Sequence, residues 1–401
     1  MLYRSQRVLG VRMHICHIAH NYYPGVSLAA MYEFTQQEAL QGCQVSVIAL
    51  GRGTVPQVDR DENGVVVYRF PSETMSAGSK RKVQFIRYAA RLLQEIDCDV
   101  VHVYANWGLG LLPLLAGKKR KSAAWIYDLR SGPIRSGWKR YLTIGMLRLE
   151  AAQFDATASH CEGTRDSVFG KHRGDIAILS MGVNLERFRR VPAPEIREQY
   201  GIRPDEKLLI FSGFFHPSRR LERLIEAVAE VAQAGKCKIK VMMLGDGPDH
   251  TRLTELAHSL GLEEVMIFPG RVEYTDVPRY LSAADIGLAY VVNNAEYGVM
   301  PALKTAEMLS CELPIVASNT YGNRMFVKDG YNGLIVEDHP KAIAEGILRL
   351  IEDDGLRQSL AAAARPSITD YGYDRIVANA VIPFYKDLLN RVQRKRHVYQ
   401  K

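Results

Sequence analysis

No run of apolar residues in this 401-residue chain is long enough to cross a bilayer. The longest, Trp107 to Gly117, falls well short of the roughly 20 residues that a spanning helix needs. The N-terminus carries Arg4, Arg7 and Arg12 but no apolar stretch of signal-peptide length, so no secretory leader is expected. Cysteine is sparse: Cys16, Cys43, Cys98, Cys161, Cys237 and Cys311 stand singly, with no Cys-x-x-Cys pair. That spacing points to neither a zinc site nor a dense disulfide framework, and it predicts buried free thiols in a reducing cytoplasm. There is no internal repeat, no low-complexity tract and no recognisable nucleic-acid-binding module. What the chain has in surplus is positive charge, a formal +8 at neutral pH. Such a balance suits an anionic partner, a nucleotide or a membrane surface, with nucleic acid set aside for want of a module.

Short apolar runs alternate with longer amphipathic segments throughout. Val11–Ala19 reads as a strand, Ala29–Gln41 as a helix stopped by Gly42, and Val45–Leu50 as the next strand. The rhythm continues through Val100–Tyr104, Ala123–Tyr127 and Ala156–Ser159. It predicts a parallel sheet covered by helices on both faces. The polar, proline-bearing stretch Arg189-Arg190-Val191-Pro192-Ala193-Pro194 suits a linker. A second series then runs through Lys207–Ser212, Lys238–Leu244, Val265–Phe268, Ile286–Tyr290 and Ile315–Ala317. The expected organisation is therefore two Rossmann-like α/β domains, residues 1–190 and 200–370. A C-terminal helix over residues 375–401 is expected to pack back onto the first.

In open α/β sheets ligands sit beyond the carboxyl ends of strands, where helix N-termini present free amides to anions. Two junctions in the second domain have that form. Gly245-Asp246-Gly247-Pro248 follows one strand, its glycines permitting a tight turn and close backbone approach. Gly213 opens the other, which carries Arg219 and Arg220 ahead of a helical pattern. An arginine there can pair with phosphate oxygens through charge-assisted bonds. Asp59-Arg60-Asp61 has the form of a metal-binding Asp-x-Asp motif, but its setting before Glu62-Asn63-Gly64 reads as a β-turn. Asp329-Gly330 and Asn332-Gly333 read likewise as turns ahead of the strand Leu334–Val336.

Several segments, taken in order, resemble retaining GT-B glycosyltransferases of family 4. They are SGFFHPSRRLERLIEA (212–227), LGDGP (244–248), IFPGRV (267–272), YLSAADIGLAY (280–290), KTAEMLSCELPIVAS (304–318) and VKDGYNGLIV (327–336). In the first half DVVHVY (99–104), LSMGVNLERF (179–188) and the HNYYPG segment opening at His20 join them. The resemblance implies two Rossmann-like domains facing a cleft and transfer of a sugar from a nucleotide-sugar donor to a saccharide or lipid-linked acceptor. It implies retention of configuration and no metal or other cofactor.

Carried over by position, the resemblance gives Arg219 the donor diphosphate and Glu307 the ribose hydroxyls. Leu303, Lys304 and Thr305 become the helix start that meets the phosphates, and Arg271 and Val272 the turn against the base. Gly213 and Gly245 lie at the strand ends of the donor site, and Gly25 belongs to the loop that approaches the diphosphate from the first domain. Four positions depart from the family pattern. Val299 stands where a first glutamate is usual, Phe214 where an arginine is, Val26 where a second glycine is, and Tyr127 where a histidine is. Glu296, three residues before Val299, is the candidate replacement carboxylate, and Asp128 with Arg130 are candidates for contact with acceptor or sugar.

A nucleotide-sugar epimerase of the same architecture and a catalytically inactive binding subunit are the competing readings. Two basic stretches, Lys80-Arg81-Lys82 leading into Val83, Phe85, Ile86 and Tyr88, and Lys118 to Lys121, suggest an anionic membrane surface as a partner. The expected location is thus cytoplasmic, at the inner face of the membrane where those stretches bind.

Overall fold

The computed structural model describes residues 12–24, 29–73, 78–132, 137–171, 175–235, 237–295 and 297–398. Gly25, Val26 and Glu296 lie outside the described residues. The chain divides into two compact units: residues through Met181 together with Tyr373 onward, and Gly182–Gly372.

The first unit contains β1 (His14–Tyr22), α1 (Ala29–Leu40), β2 (Gln44–Gly51), β3 (Gln57–Arg60), β4 (Val66–Pro71), α2 (Ser79–Glu95) and β5 (Val100–Tyr104). There follow the short α3 (Leu112–Leu115) and α4 (Lys119–Ser122), then β6 (Ala124–Leu129), α5 (Trp138–Ala151), β7 (Ala156–Ser159), α6 (Glu162–Phe169) and β8 (Ala177–Ile178). The sheet order is β3-β4-β2-β1-β5-β6-β7-β8, with every pairing parallel except β3 on β4. Strand side chains alternate between faces. Ile15, Val100 and Ile126 therefore enter one core, and Cys16, Val101, Val103 and Trp125 the other. Apolar residues on both faces are what a sheet covered by helices on both sides requires.

The second unit holds α7 (Pro194–Gln199), β9 (Lys207–Ser212), α8 (Glu222–Ala234), β10 (Ile239–Leu244), α9 (His250–Ser259), β11 (Met266–Gly270) and α10 (Val277–Ala283). It continues with β12 (Ile286–Ala289), α11 (Leu303–Ser310), β13 (Ile315–Ser318), α12 (Tyr321–Arg324), β14 (Leu334–Val336), α13 (Pro340–Glu352) and α14 (Asp354–Ile368). Its sheet is wholly parallel, in the order β11-β10-β9-β12-β13-β14. Successive crossovers run one way from β9 to β11 and then return to β12 on the opposite side of β9. That reversal leaves a crevice at the carboxyl ends of β9 and β12, the usual ligand position in such sheets.

Val183, Phe188, Ala193 and Ile196 all pack into the second unit's core. The proline-bearing stretch around them is therefore part of that unit's wall, and the division falls at Met181/Gly182. After Gly372 the chain rejoins the first unit through α15 (Tyr373–Ile376), a π-helical turn at Val377–Val381, and α16 (Ile382–Val398). Tyr373, Val377, Tyr385 and Leu388 enter the same core as Ile15 and Phe34.

Two local readings change. Asp59 and Arg60 lie on β3 in a hairpin with β4, and only Asp61 turns, its Oδ1 accepting from the amides of Asn63 and Val65 at 3.0 and 2.9 Å. The first-domain strand starts at His14 among the described residues and runs on to Tyr22. All six cysteines are free; Cys43 and Cys237 are only partly buried.

Candidate donor site and a buried polar network

In the second unit β9 ends at Ser212, and Gly213 begins a loop that lies against the loop after β10. The Gly213 amide donates to Leu244 O at 2.9 Å, and that of Phe215 to Asp246 O at 2.9 Å. A Cβ on Gly245 would stand 1.8 Å from Gly213 O, and one on Gly247 2.1 Å from Phe215 O; both residues have positive φ, 144° and 156°. Loop-on-loop contact thus requires these two glycines. Gly245 has its space filled by the neighbouring backbone, not held open for a ligand. A Cβ on Gly213 would lie 3.3 Å from the Lys304 ammonium, so Gly213 leaves room for that cation.

Arg219 closes a single 3-10 turn, Pro217–Arg219, capped by the His216 ring, which accepts from the Ser218 amide at 3.3 Å. The Ser218 hydroxyl meets that of Tyr297 at 3.0 Å, and the Arg219 guanidinium lies 5.0 Å from the Tyr297 ring centre. Arg219 Nε is buried with no hydrogen-bond partner. Lys304, on the first turn of α11, donates to Tyr290 O at 3.0 Å and sits 3.9 Å over the Phe211 ring. Arg219, Leu221, Tyr290, Val292, Tyr297 and Lys304 line one small pocket. Burial drives the Lys304 pKa well below its usual value; Arg219 lowers it further, against a smaller opposing effect of Glu307. Two cations therefore share a recess in which no described carboxylate forms an ion pair with either. An anion is the natural complement of such a recess.

Glu307 follows one turn after Lys304 on α11, and its Oε1 accepts from the Tyr274 hydroxyl at 2.8 Å. Thr305 faces inward: it is fully buried, its hydroxyl donates to Asn323 Oδ1 at 2.8 Å, and its amide donates to Ala302 O at 2.9 Å. Both Thr305 groups anchor the helix start and are already engaged. The amides of Leu303 and Lys304 are of the kind that a first helical turn leaves without an internal acceptor. Arg271 is exposed just beyond β11, while Val272 is half-buried against the core beside Tyr274. The departure residue Phe214 is 53% exposed and stacks on His216, so its ring occupies this loop without filling the pocket.

The first unit shows a different construction. Asp128 is fully buried at the end of β6. Its Oδ2 accepts from Arg130 Nε at 2.7 Å and meets His102 Nε2 at 2.9 Å. Burial alone would raise the Asp128 pKa, but Arg130 and His102 override it and hold the group at about 2. Arg130 also donates to Leu179 O at 2.9 Å, and its guanidinium lies 4.6 Å over the Phe34 ring. The expectation that Asp128 and Arg130 present themselves to an acceptor therefore changes. Through Asp128 Oδ2 and Arg130 Nε and Nη1 they form a clamp that ties β6 to the segment after β8 and to α1, while Asp128 Oδ1 and Arg130 Nη2 are buried without a hydrogen bond.

The clamp extends further. His102 Nδ1 meets the Tyr385 hydroxyl at 2.6 Å, that hydroxyl donates to Glu38 Oε1 at 3.0 Å, and Glu38 Oε2 meets His17 Nε2 at 2.7 Å. His17 and His102 are register partners on β1 and β5, with rings 5.0 Å apart. Tyr127, on the opposite face of β6 from Asp128, is fully buried and donates to Glu150 Oε2 at 2.5 Å.

Tyr290, Tyr297 and Phe211 around the two cations, Tyr274 on Glu307, and Glu38, His17, His102 and Tyr385 in the network, were not singled out from sequence. For the network a signal existed: His17, His102 and Asp128 are polar residues inside otherwise apolar, buried strands, which requires partners. For the aromatic residues there was none, because a buried tyrosine is ordinary core until its neighbours are known. Among the described residues no group of three or more His, Cys, Asp or Glu side chains is placed to hold a metal ion.

Two doubly wound sheets in one chain, the second with a cationic recess at its switch point, define the GT-B class of fold. The structure matches sucrose-phosphate synthase of Thermosynechococcus elongatus with a TM-score of 0.77 at 16% identity, over 95% of this chain and 100% of that one. It matches Anabaena HepE in complex with UDP-glucose with a TM-score of 0.71 at 15% identity, over 94% and 100%. In sequence, residues 7–179 match the glycosyl transferase 4-like domain and residues 192–366 the family of glycosyl transferases group 1. The alpha-monoglucosyldiacylglycerol synthase of Acholeplasma laidlawii is 23% identical over 85% of this chain and 89% of its own length. The chain belongs to the GT-B glycosyltransferases of family 4.

Proposed function

We propose that this glycosyltransferase takes its sugar from a nucleotide-sugar donor and passes it, with retention of configuration, to a saccharide or lipid-linked acceptor. The observation that carries the reading is the pair Arg219 and Lys304, two cations lining one recess with no described carboxylate in an ion pair with either. A diphosphate bound there gains charge-assisted bonds of about 1.5–3 kcal/mol each and relieves the repulsion between the cations. Glu307, a turn further along the helix, is spaced to accept from the ribose hydroxyls. Arg271 and Val272 supply a surface for the base. HepE crystallises with UDP-glucose, which supports a donor of this type by analogy.

Transfer with retention needs little beyond a stabilised leaving group. Arg219, Lys304 and the free amides at the start of α11 present fixed positive potential to the departing diphosphate, where negative charge grows. The acceptor hydroxyl attacks from the side on which the nucleotide leaves. The bond from its oxygen to the anomeric carbon forms as the bond to phosphate breaks, and its proton passes to the leaving phosphate oxygen.

The test is binding followed by turnover. Melting curves with UDP, GDP and ADP should show one of them raising the transition of the second unit, since a ligand that binds only the folded state stabilises it by mass action. Incubation with the matching nucleotide sugars and an acceptor panel should then release nucleoside diphosphate and give a product with the donor's anomeric configuration. Isomerisation of the donor without an acceptor would indicate an epimerase, binding without turnover an inactive subunit, and no nucleotide binding a misassigned recess.

A further inference from the structure

Helix α5 carries two apolar faces, of which the fold uses one. Leu147 and Ala151 pack inward beside Tyr127 and Leu129. Trp138, Tyr141, Leu142, Met146 and Leu149 follow at helical spacings of three, four, eight and eleven residues from Trp138, within one side of the helix. They remain exposed, Trp138 at 67%, Tyr141 at 75% and Leu149 at 71%. The neighbouring segment adds Trp107, Leu111, Leu114 and Leu115, all about half exposed or more. It adjoins α5 directly, because Glu150 Oε1 accepts from the Gly108 amide at 2.7 Å. α2 joins it on the other side, with Lys82 Nζ bonding Asn106 Oδ1 at 2.6 Å and lying 5.5 Å from the Trp107 ring.

Charge decides what covers such a face. Residues 78–94, 105–123 and 137–149 hold twelve lysines and arginines and not one aspartate or glutamate. The basic stretches read from sequence contribute less than their composition implies. Phe85 and Ile86 of α2 belong to the core, Lys119 lies 3.5 Å from Asp97, and Arg120 pairs with Asp155 at 2.9 Å. Lys80, Lys118, Lys121 and Lys139 stay exposed, and Lys139 Nζ lies 5.9 Å from the Trp138 ring centre. A second copy of this chain would set these cations against themselves. An anionic lipid leaflet neutralises them while taking tryptophan, tyrosine and leucine into its interface.

We infer that the outer face of α5, with the adjoining Trp107–Leu115 segment, is a docking surface for anionic membrane lipid. The inference is independent of which donor the second unit binds, since vesicle binding needs no turnover.

The test is co-sedimentation of the full chain with phosphatidylcholine vesicles, with and without phosphatidylglycerol, at low and high salt. Wild type is expected to pellet with the anionic vesicles at low salt and to be released by salt. Its tryptophan emission should shift to the blue, because Trp107 and Trp138 are exposed whereas Trp125 is buried. The double variant Leu142→Glu/Leu149→Glu should partition about a hundred-fold less well, since each leucine contributes roughly a tenfold share. Its melting temperature should not change, because both side chains are exposed. Lys139→Glu/Arg140→Glu should lose binding to anionic vesicles specifically. Equal pelleting by the leucine variant would overturn the inference. So would failure of wild type to pellet, or a concentration-dependent dimer that the leucine variant abolishes while vesicles stay unbound.

Discussion

Replacing Lys304 with methionine should weaken nucleoside diphosphate binding while leaving the empty fold at least as stable. Two contacts favour the ammonium in its recess, the Phe211 ring at 3.9 Å and Tyr290 O at 3.0 Å. They contribute about 0.5–2 and 1.5–3 kcal/mol respectively. Against them stand removal of the ion from water, several kcal/mol even after relaxation, and repulsion from Arg219. The depressed pKa says which side prevails: relative to the unfolded chain, folding costs the ammonium more than these contacts return. Methionine keeps the length, places a thioether on Phe211 and removes the ionic penalty, while Tyr290 O loses its donor at a cost of about 1–3 kcal/mol. The melting temperature should therefore hold or rise by a few degrees, at about 2–4 °C per kcal/mol. Loss of one charge-assisted bond to the diphosphate should raise the Kd for UDP about 10- to 100-fold by calorimetry.

The same lysine predicts the pH dependence. Its folded pKa lies below 10.5, the ordinary value, so the unfolded chain binds more protons between the two. Stability of the empty protein thus rises with pH across that interval. A bound diphosphate draws the proton back. Binding then takes up a proton and affinity falls as pH rises through the same interval, which calorimetry in buffers of different ionisation enthalpy detects. Lys304→Met should abolish the uptake. A Kd within about threefold of wild type, or proton uptake that survives the substitution, would remove Lys304 from the donor site.

Glu307→Ala should weaken UDP about 10- to 100-fold while leaving inorganic pyrophosphate unaffected; equal losses for both would move the carboxylate from ribose to phosphate. Asp128, held at about 2 against an ordinary 3.8, should contribute about 2 kcal/mol above pH 3.8, lost as the pH falls from 3.8 through 2. Asp128→Asn should erase that acid limb in circular dichroism titrations. It should also cost about 3–5 kcal/mol at neutral pH, because Arg130 is left as an unpaired buried cation.

Fold and site were legible in the sequence to different depths, for a physical reason. Each strand of the parallel sheets buries both faces, so runs such as Val100–Tyr104 and Ile239–Leu244 stand out as apolar along their length. The order of such runs with intervening helices is enough to define a doubly wound domain. For the candidate site, the loop after a strand end draws attention to Arg219, whereas Lys304 and Glu307 are candidates only through the resemblance to family 4. The partners of those residues are another matter. Tyr297 reaches Arg219 across 78 positions, and Tyr274 reaches Glu307 across 33. No local pattern encodes a contact that the fold alone creates.

Asp128 and Arg130 show the same limit from the other side. Their place after a strand of the first unit made them look ligand-facing, yet the pairing depends on His102, on Leu179 and, through His102, on Tyr385 in the returning C-terminal helix. A carboxylate with a guanidinium two residues away has two outlets, a ligand or a buried clamp. Burial decides between them, because full desolvation is tolerable only where partners are already in place. At Asp128 a cationic partner and a histidine are in place on Oδ2, although Oδ1 has no hydrogen bond. At Lys304 no described carboxylate forms an ion pair with the half-buried ammonium, and that asymmetry is what favours Lys304 over Asp128 as the residue proposed to take an anion.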